Sequence, residues 1–382
     1  MVLLFWVSLF VIFYTYLGYP ILLLVLSRLF QKPVLKNGNI RPKVSIVVAA
    51  HNEEQNIENR IKNILSQSYP RKCMEIIIVS DGSTDGTNNI VNQLISQHSQ
   101  PDSQGIIPIN LICYSPPRGK PFALNKGVFA ATGEIIIFAD SRQRFAEDAI
   151  QQLVNNFYDE RIGCVSGELI FEETVGSSIQ AEMGIYWNFE KWLRKLESKT
   201  GSVAGATGAI YAIRKKLFSP IPDQTLLDDV LIPLQVIFQG YRVIFESQAS
   251  AYDTVSKDIA QEKKRKIRTL AGNWQLLFLE PKIFNLTKNK IFMQFFSHKI
   301  FRLVVPYFAI LLLYCSLVLR TPSAMSIMFM MFLILAIACI PKHIRKFSLI
   351  SKISGVCRSI ILLNYFAFLA PLKLMFNSKK IW

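Results

Sequence analysis

The residues of this sequence best suited to chemistry are acids that close short apolar runs. Asp81 follows EIIIVS, Asp140 follows EIIIFA, and Asp228 and Asp229 follow Leu226 and Leu227. Ala50, His51, Asn52 and Glu53 end another such run, VSIVVAA. Carboxylates at these places could accept hydrogen bonds from a ligand, hold a hard divalent cation, or take a proton from a hydroxyl. Lys120, preceded by Arg118 and Gly119, is a cation in a glycine-containing loop before a helical pattern, a suitable partner for diphosphate. Each also has an ordinary explanation. Asp and Asn favour turns and helix caps, the pair 228–229 could simply start a helix, and Lys120 on spacing alone reads as a solvated surface lysine.

The elements that must carry these residues alternate. Val44 to Ala50 reads as a buried strand, and Ile57, Ile61, Ile64 and Leu65 lie on one face of the helix after it. Glu75 to Ser80, a helix with Ile90, Val91, Leu94 and Ile95 on one face, Ile109 to Tyr114, and a helix from Pro121 to Phe129 continue the pattern. The strand Glu134 to Ala139, a helix from Glu147 to Phe157 and the strand Ile162 to Ser166 complete it. Apolar strands between amphipathic helices predict an α/β fold with a mostly parallel sheet covered on both faces, and ligands beyond the carboxyl ends of its strands. The clusters at 50–53, 81 and 140 all fall at that edge.

The remainder of the chain is a membrane protein by composition. Of 382 residues 51% are hydrophobic, only 18% are charged, and the formal charge is +16, too apolar and too basic for an ordinary soluble domain. Leu3 to Leu29 is long enough to cross a bilayer and lacks the basic start and cleavage site of a signal peptide, so it reads as a retained anchor. Leu303 to Leu319, Ala324 to Ile340 and Ser359 to Phe376 read as further spans, the last interrupted by Pro371 and Lys373. This divides the chain into an N-terminal membrane helix (1–32), an α/β domain (40–255), a basic amphipathic interface segment (256–298) and C-terminal membrane or interfacial helices (299–382).

Arg28, Lys32, Lys36, Arg41 and Lys43 after the first span, and Lys342, His343, Arg345 and Lys346 after the third, place the α/β domain in the cytoplasm. Four full spans would leave Lys379 and Lys380 outside, which predicts an interfacial or re-entrant last segment and three or four spans in all. Cys73, Cys113 and Cys164 lie in or beside apolar runs without paired spacing and read as buried thiols. His51, His98, His298 and His343 form no zinc pattern. Lys263, Lys264, Arg265, Lys266 and Arg268 form a basic run without nucleic-acid motifs, so anionic headgroups and diphosphate are the expected partners and nucleic acid is not.

Taken together, VSIVVAAHNEE, IIIVSDGSTDGT, RGKPFALNKG, IIIFADS and LLDDV resemble the membrane-bound family 2 glycosyltransferases, over roughly Lys43 to Leu279. The resemblance implies a GT-A fold like that of the cellulose, chitin, hyaluronan and poly-N-acetylglucosamine synthases. It implies that Ala50, Glu53 and Asp81 hold the nucleotide of a UDP-sugar, with Lys120 and Arg268 on its diphosphate. Asp140 stands as the first acid of an Asp-x-Asp metal motif for Mg²⁺ or Mn²⁺, and Asp229 as the catalytic base with Asp228 beside it.

Gly205 to Ala209 is a small-residue stretch where either a sugar or a packed helix could approach, which makes Gly205 and Thr207 acceptor-side candidates. Two departures matter. Arg142 replaces the second acid of the metal motif, and a Gln-x-x-Arg-Trp motif is reduced to Arg265, Arg268 and Thr269, without the tryptophan that stacks on an acceptor sugar. Trp274 cannot stand in on a continuous helix, being about 140° further round the axis.

The implied function is inverting transfer that builds or extends an exported polysaccharide, with export or synthase subunits as possible partners. The alternatives are transfer of one sugar to a membrane lipid, and a non-catalytic nucleotide sensor or scaffold.

Overall fold

The structure, a computed structural model, describes residues 1–98, 105–172, 178–254, 259–340 and 348–376. The basic groups at 342–346 and at 379–380 lie outside the described residues. Eight strands form one sheet: β1 (Val44–Ala50), β2 (Met74–Asp81), β3 (Ile109–Tyr114), β4 (Ile135–Asp140), β5 (Arg144–Phe145), β6 (Ile162–Glu172), β7 (Ile210–Arg214) and β8 (Arg242–Thr254). Their order is β3-β2-β1-β4-β7-β6-β8-β5.

The first four strands in that order are parallel, as is the pair β6–β8, whereas β7 runs antiparallel to both β4 and β6, and β5 to β8. The sheet is therefore mostly parallel, as expected, with β7 and β5 as its antiparallel members. The sequence pattern missed β7 and β8 because β7 is short and β8, RVIFESQASAYDT, carries polar residues through its length.

The parallel half shows why its strands read so clearly. Ile46, Val48, Ile76, Ile78, Ile135 and Ile137 face one core with helices Ile57–Leu65 and Thr87–Gln97. Val47, Ile77, Val79, Ile136 and Phe138 face the other, with helices Lys120–Ala130 and Asp228–Phe238. Successive side chains point to opposite faces, so burial on both faces demands uninterrupted apolar runs. Helix Lys120–Ala130 lies so close that a Cβ on Gly127 would stand 2.4 Å from Val47 Cγ1.

Among the described residues, three helices are long and apolar enough to cross a membrane: Val2–Leu29, Phe292–Leu319 and Ile353–Met375. The predicted span 324–340 corresponds to the shorter apolar helix Pro322–Ala338. The last segment, expected to be interrupted, is one helix, Ser348–Phe376, with Pro371 inside it. A further helix that the sequence reading missed, Ser178–Thr200, packs Leu193 and Leu196 against Tyr19 and Leu23 and so joins the sheet domain to the first membrane helix. Cys164 is fully buried as expected, but Cys113 is exposed, because β3 is an edge strand.

Candidate functional site at the carboxyl edge of the sheet

Strand register brings the predicted clusters together. Ala49 lies opposite Asp140 and Ala50 opposite Ser80, so β2, β1 and β4 end side by side. Ala50 itself is buried. Asp81 is buried at the end of β2, where its carboxylate accepts the backbone N–H of Arg118 at 2.6 Å and of Gly119 at 2.8 Å. It thereby ties down the loop that opens helix Lys120–Ala130, and each oxygen keeps a lone pair for a ligand. Gly82, at φ +61°, lies against this loop, and a Cβ there would stand 2.7 Å from Pro117 N. The Glu53 N–H donates to Thr87 Oγ1 at 2.8 Å and its carboxylate accepts from Asn56 Nδ2 at 2.7 Å, which fastens the β1 loop to the neighbouring helix starts.

Lys120 projects from the first residue of its helix into a set of acids. Its Nζ lies 2.8 Å from Asp140 Oδ1 and 3.4 Å from Asp228 Oδ2. Burial works against its charge, but the carboxylates of Asp140 and Asp228 outweigh that and hold its pKa above the usual lysine value. Asp229 behaves in the opposite sense. Burial, reinforced by the like charge of Asp228, raises its pKa to about 6 against the pull of Lys120, Arg194 and Lys299.

Capping does not explain the acid pair. The cap position of helix Asp228–Phe238 falls on Leu227, and no side chain caps it.

The small-residue stretch 205–209 wraps this helix start. The Ala206 N–H donates to the Asp229 carbonyl at 2.7 Å, and a Cβ on Gly208 would stand 3.1 Å from Asp229 Oδ2. Gly205, at φ +145°, makes the turn possible. The Thr207 N–H donates to Ser166 Oγ at 2.9 Å, and its hydroxyl accepts from Arg194 Nη1 at 2.8 Å. Small residues here let the backbone pack directly against the Asp229 carboxylate, where a side chain at 208 would crowd it.

Other predicted roles find less support. Arg142, which stands at the second acid of the metal motif, donates to Asp253 Oδ2 at 2.8 Å, so its charge is already paired on β8. Arg268 is exposed on helix Ile259–Leu279, and no contact ties it to Lys120 or Asp140 among the described residues. Thr269 is exposed too, its hydroxyl bonded back to the Arg265 carbonyl at 3.0 Å. Trp274 packs toward Leu226, Ala271 and Ala370, a structural position, with its indole N–H unpartnered among the described residues. No group of three or more His, Cys, Asp or Glu placed to hold a metal occurs among the described residues.

Arg194 and the cluster around it went unread, since the partners of Glu190 and Glu197 are distant in sequence. Only the i, i+4, i+7 spacing of Glu190, Arg194 and Glu197 on one helical face could have signalled it.

Comparison with known proteins agrees with this geometry. Residues 45–221 match the model of glycosyl transferase family 2, and residues 135–341 that of glycosyl transferase family group 2. A probable glycosyltransferase of Bacillus subtilis, YdaM, is 26% identical over 67% of this chain and 61% of its own length. The poly-β-1,6-N-acetyl-D-glucosamine synthase of Staphylococcus aureus strain COL is 22% identical over 65% of this chain and 58% of its own. The chain thus spans less than two thirds of the length of these relatives. Among solved structures, the mannosyltransferase PcManGT of Pyrobaculum calidifontis, in complex with GDP-Man and Mn²⁺, superposes with a TM-score of 0.72 at 21% identity, covering 98% of this chain and 99% of that one. That likeness extends the shared fold through the membrane helices as well as the sheet. With a family model covering more than half its length and a GT-A sheet that gathers the acids at one edge, this chain belongs to glycosyl transferase family group 2.

Proposed function

We propose that the protein transfers a sugar from a nucleotide-sugar, with UDP as the expected nucleotide, to an acceptor hydroxyl delivered from the membrane side, as a step in building a cell-envelope glycan. The observation that carries this reading is Asp229, held near a pKa of about 6 beside Lys120, Asp140 and Asp228 at the sheet edge. A carboxylate with that proton affinity is ionised at neutral pH and still basic enough to help a hydroxyl attack.

In this mechanism Asp229 takes the acceptor proton while the acceptor oxygen forms its bond to the anomeric carbon. The bond from that carbon to the diphosphate breaks on the opposite face, and the nucleoside diphosphate leaves with the electron pair. Lys120 offsets the charge gathering on the diphosphate. One displacement inverts the anomeric centre, so no second carboxylate acid is needed.

A divalent ion fits this site only as a shared ligand. Asp140 keeps Oδ2 clear of the bond that Oδ1 makes to Lys120, and the diphosphate and water would complete the shell. Mg²⁺ or Mn²⁺ bound there would supply further charge stabilisation. The relative named as a poly-β-1,6-N-acetyl-D-glucosamine synthase supports a polymeric product, whereas the exposed Thr269 in place of a stacking tryptophan supports addition of a single sugar. The basic residues after the first span support a cytoplasmic sheet domain in the cell membrane.

The test is transfer from radiolabelled UDP-sugars and GDP-mannose by the full chain in native membranes, comparing wild type with Asp229→Asn and sizing the product. Label transfer that requires Asp229 is expected. Absence of transfer from every donor, with no UDP binding, refutes the reading.

A further inference from the structure

The junction between the sheet domain and the membrane helices holds a second group of charges. Glu190 and Glu197 on helix Ser178–Thr200 face the start of helix Phe292–Leu319. Glu190 bonds His298 Nε2 at 2.6 Å and Arg302 Nη1 at 2.8 Å. Glu197 bonds His298 Nδ1 and the Tyr19 hydroxyl, each at 2.7 Å. Both acids are thus engaged by His298, Arg302 and Tyr19, and on the same helix Lys191 and Lys195 pair instead with Glu168.

Two cations have no carboxylate at ion-pair distance among the described residues, although Glu190 and Glu197 act on Lys299 from further off. Arg194 reaches only the Thr207 hydroxyl, and Lys299 makes no hydrogen bond or ion pair. Both are half-buried, so the lack of a partner is costly unless a ligand supplies one. Through Thr207 and Gly208 this pair borders Asp229, close enough for both charges to act on its proton affinity. They approach from the membrane side, while Lys120 serves the donor side.

We propose that Arg194 and Lys299 bind a phosphate carried by the acceptor, and that the acceptor is a phosphate-bearing lipid whose reacting hydroxyl reaches Asp229 and whose chain lies along helices Val2–Leu29 and Phe292–Leu319. A guanidinium fork and an ammonium on two different helices match an oxyanion with several oxygens. The position at the head of two membrane helices matches a headgroup attached to an apolar chain. This inference rests on the proposed glycosyl transfer for the meaning of "acceptor", but the binding itself is independent of it.

The test uses the full chain in zwitterionic nanodiscs, with dodecyl phosphate as probe and ³¹P line broadening as readout. UDP binding is measured on the same samples. Dodecyl phosphate is expected to bind, with affinity at least tenfold lower in Arg194→Gln and in Lys299→Met, largely restored in Lys299→Arg, and with UDP affinity unchanged in all three. Competition by dodecanol as strong as by dodecyl phosphate, or variant affinities equal to wild type, overturns the phosphate site. Binding of inorganic phosphate as tight as that of dodecyl phosphate overturns the lipid source. Failure of UDP to bind wild type together with absence of transfer from every donor removes the glycosyl-transfer reading and leaves the phosphate site standing, so the two fail separately.

Discussion

Two clusters of opposite charges lie on either side of Asp229, and they differ in how far they are open to solvent. Around His298, the carboxylates of Glu190 and Glu197 are buried and bonded to groups from two other helices, with Glu197 Oε2 alone unpartnered among the described residues. Around Lys120, one half-exposed ammonium faces Asp140 and Asp228, with Asp229 close behind. The closed cluster spends its charge on joining membrane helices to the sheet domain. The open one keeps spare lone pairs and a base of raised pKa, which is what a reaction centre needs. Residue type alone does not separate the two, since both are acids around cations. Exposure does.

Replacing the base should break this contrast most sharply. Asp229→Asn is expected to lower kcat by about 10³-fold with the thermal unfolding midpoint unchanged, measured by label transfer and by a melting assay in detergent. Breaking the closed cluster should do the reverse. Glu190→Gln leaves buried His298 and Arg302 short of a partner, and losses of about 3 kcal/mol are usual for such a change, so the midpoint should fall well before UDP binding does.

A third expectation concerns pH. An acid whose folded pKa is raised is ionised only above that value, so kcat/KM should rise with pH through about 6, the value to which burial and Asp228 lift Asp229. Removing the like charge in Asp228→Asn should move that limb to lower pH, and removing Lys120, which opposes the rise, should move it higher. The sign for stability is opposite to that of an ordinary paired carboxylate. Ionising Asp229 costs stability as pH climbs from its unfolded value through about 6, so this residue favours the fold on the acid side. The smallest effect should come from Arg142→Ala. Because its guanidinium is paired with Asp253, donor KM should change by less than about twofold, against about tenfold or more for Lys120→Ala, as expected from losing one charge-assisted contact. A large donor KM effect at Arg142 would show that the pair with Asp253 opens when donor binds.

Much of the donor side was legible in the sequence because its strands are buried on both faces. VSIVVAA, EIIIVS and EIIIFA are nearly unbroken apolar runs, and the polar residue after each falls at the ligand edge of a parallel sheet by topology alone. Asp81 and Asp140 were accordingly singled out by position, whereas Lys120, Asp228 and Asp229 were singled out by their resemblance to the family's motifs. Their working partners were less clear. That the Asp81 carboxylate takes two backbone N–H groups of the 118–119 loop, or that Arg142 turns to Asp253, depends on contacts between residues 37 and 111 positions apart.

The membrane junction was almost invisible. On helix Ser178–Thr200 the partners of Glu190 and Glu197 come from residues more than a hundred positions away, and strands β7 and β8 lack the strict apolar pattern that marks the others. Arg268, by contrast, was singled out by motif and stands exposed, since a helix fixes which residues share a face but not what that face will meet. The sequence by itself determined a membrane chain with an α/β domain and which acids close its strands, because burial on two faces and the thickness of a bilayer both dictate composition. Only the tertiary structure decided which charges are paired and which remain open, because pairing is set by distances between segments that no local pattern encodes.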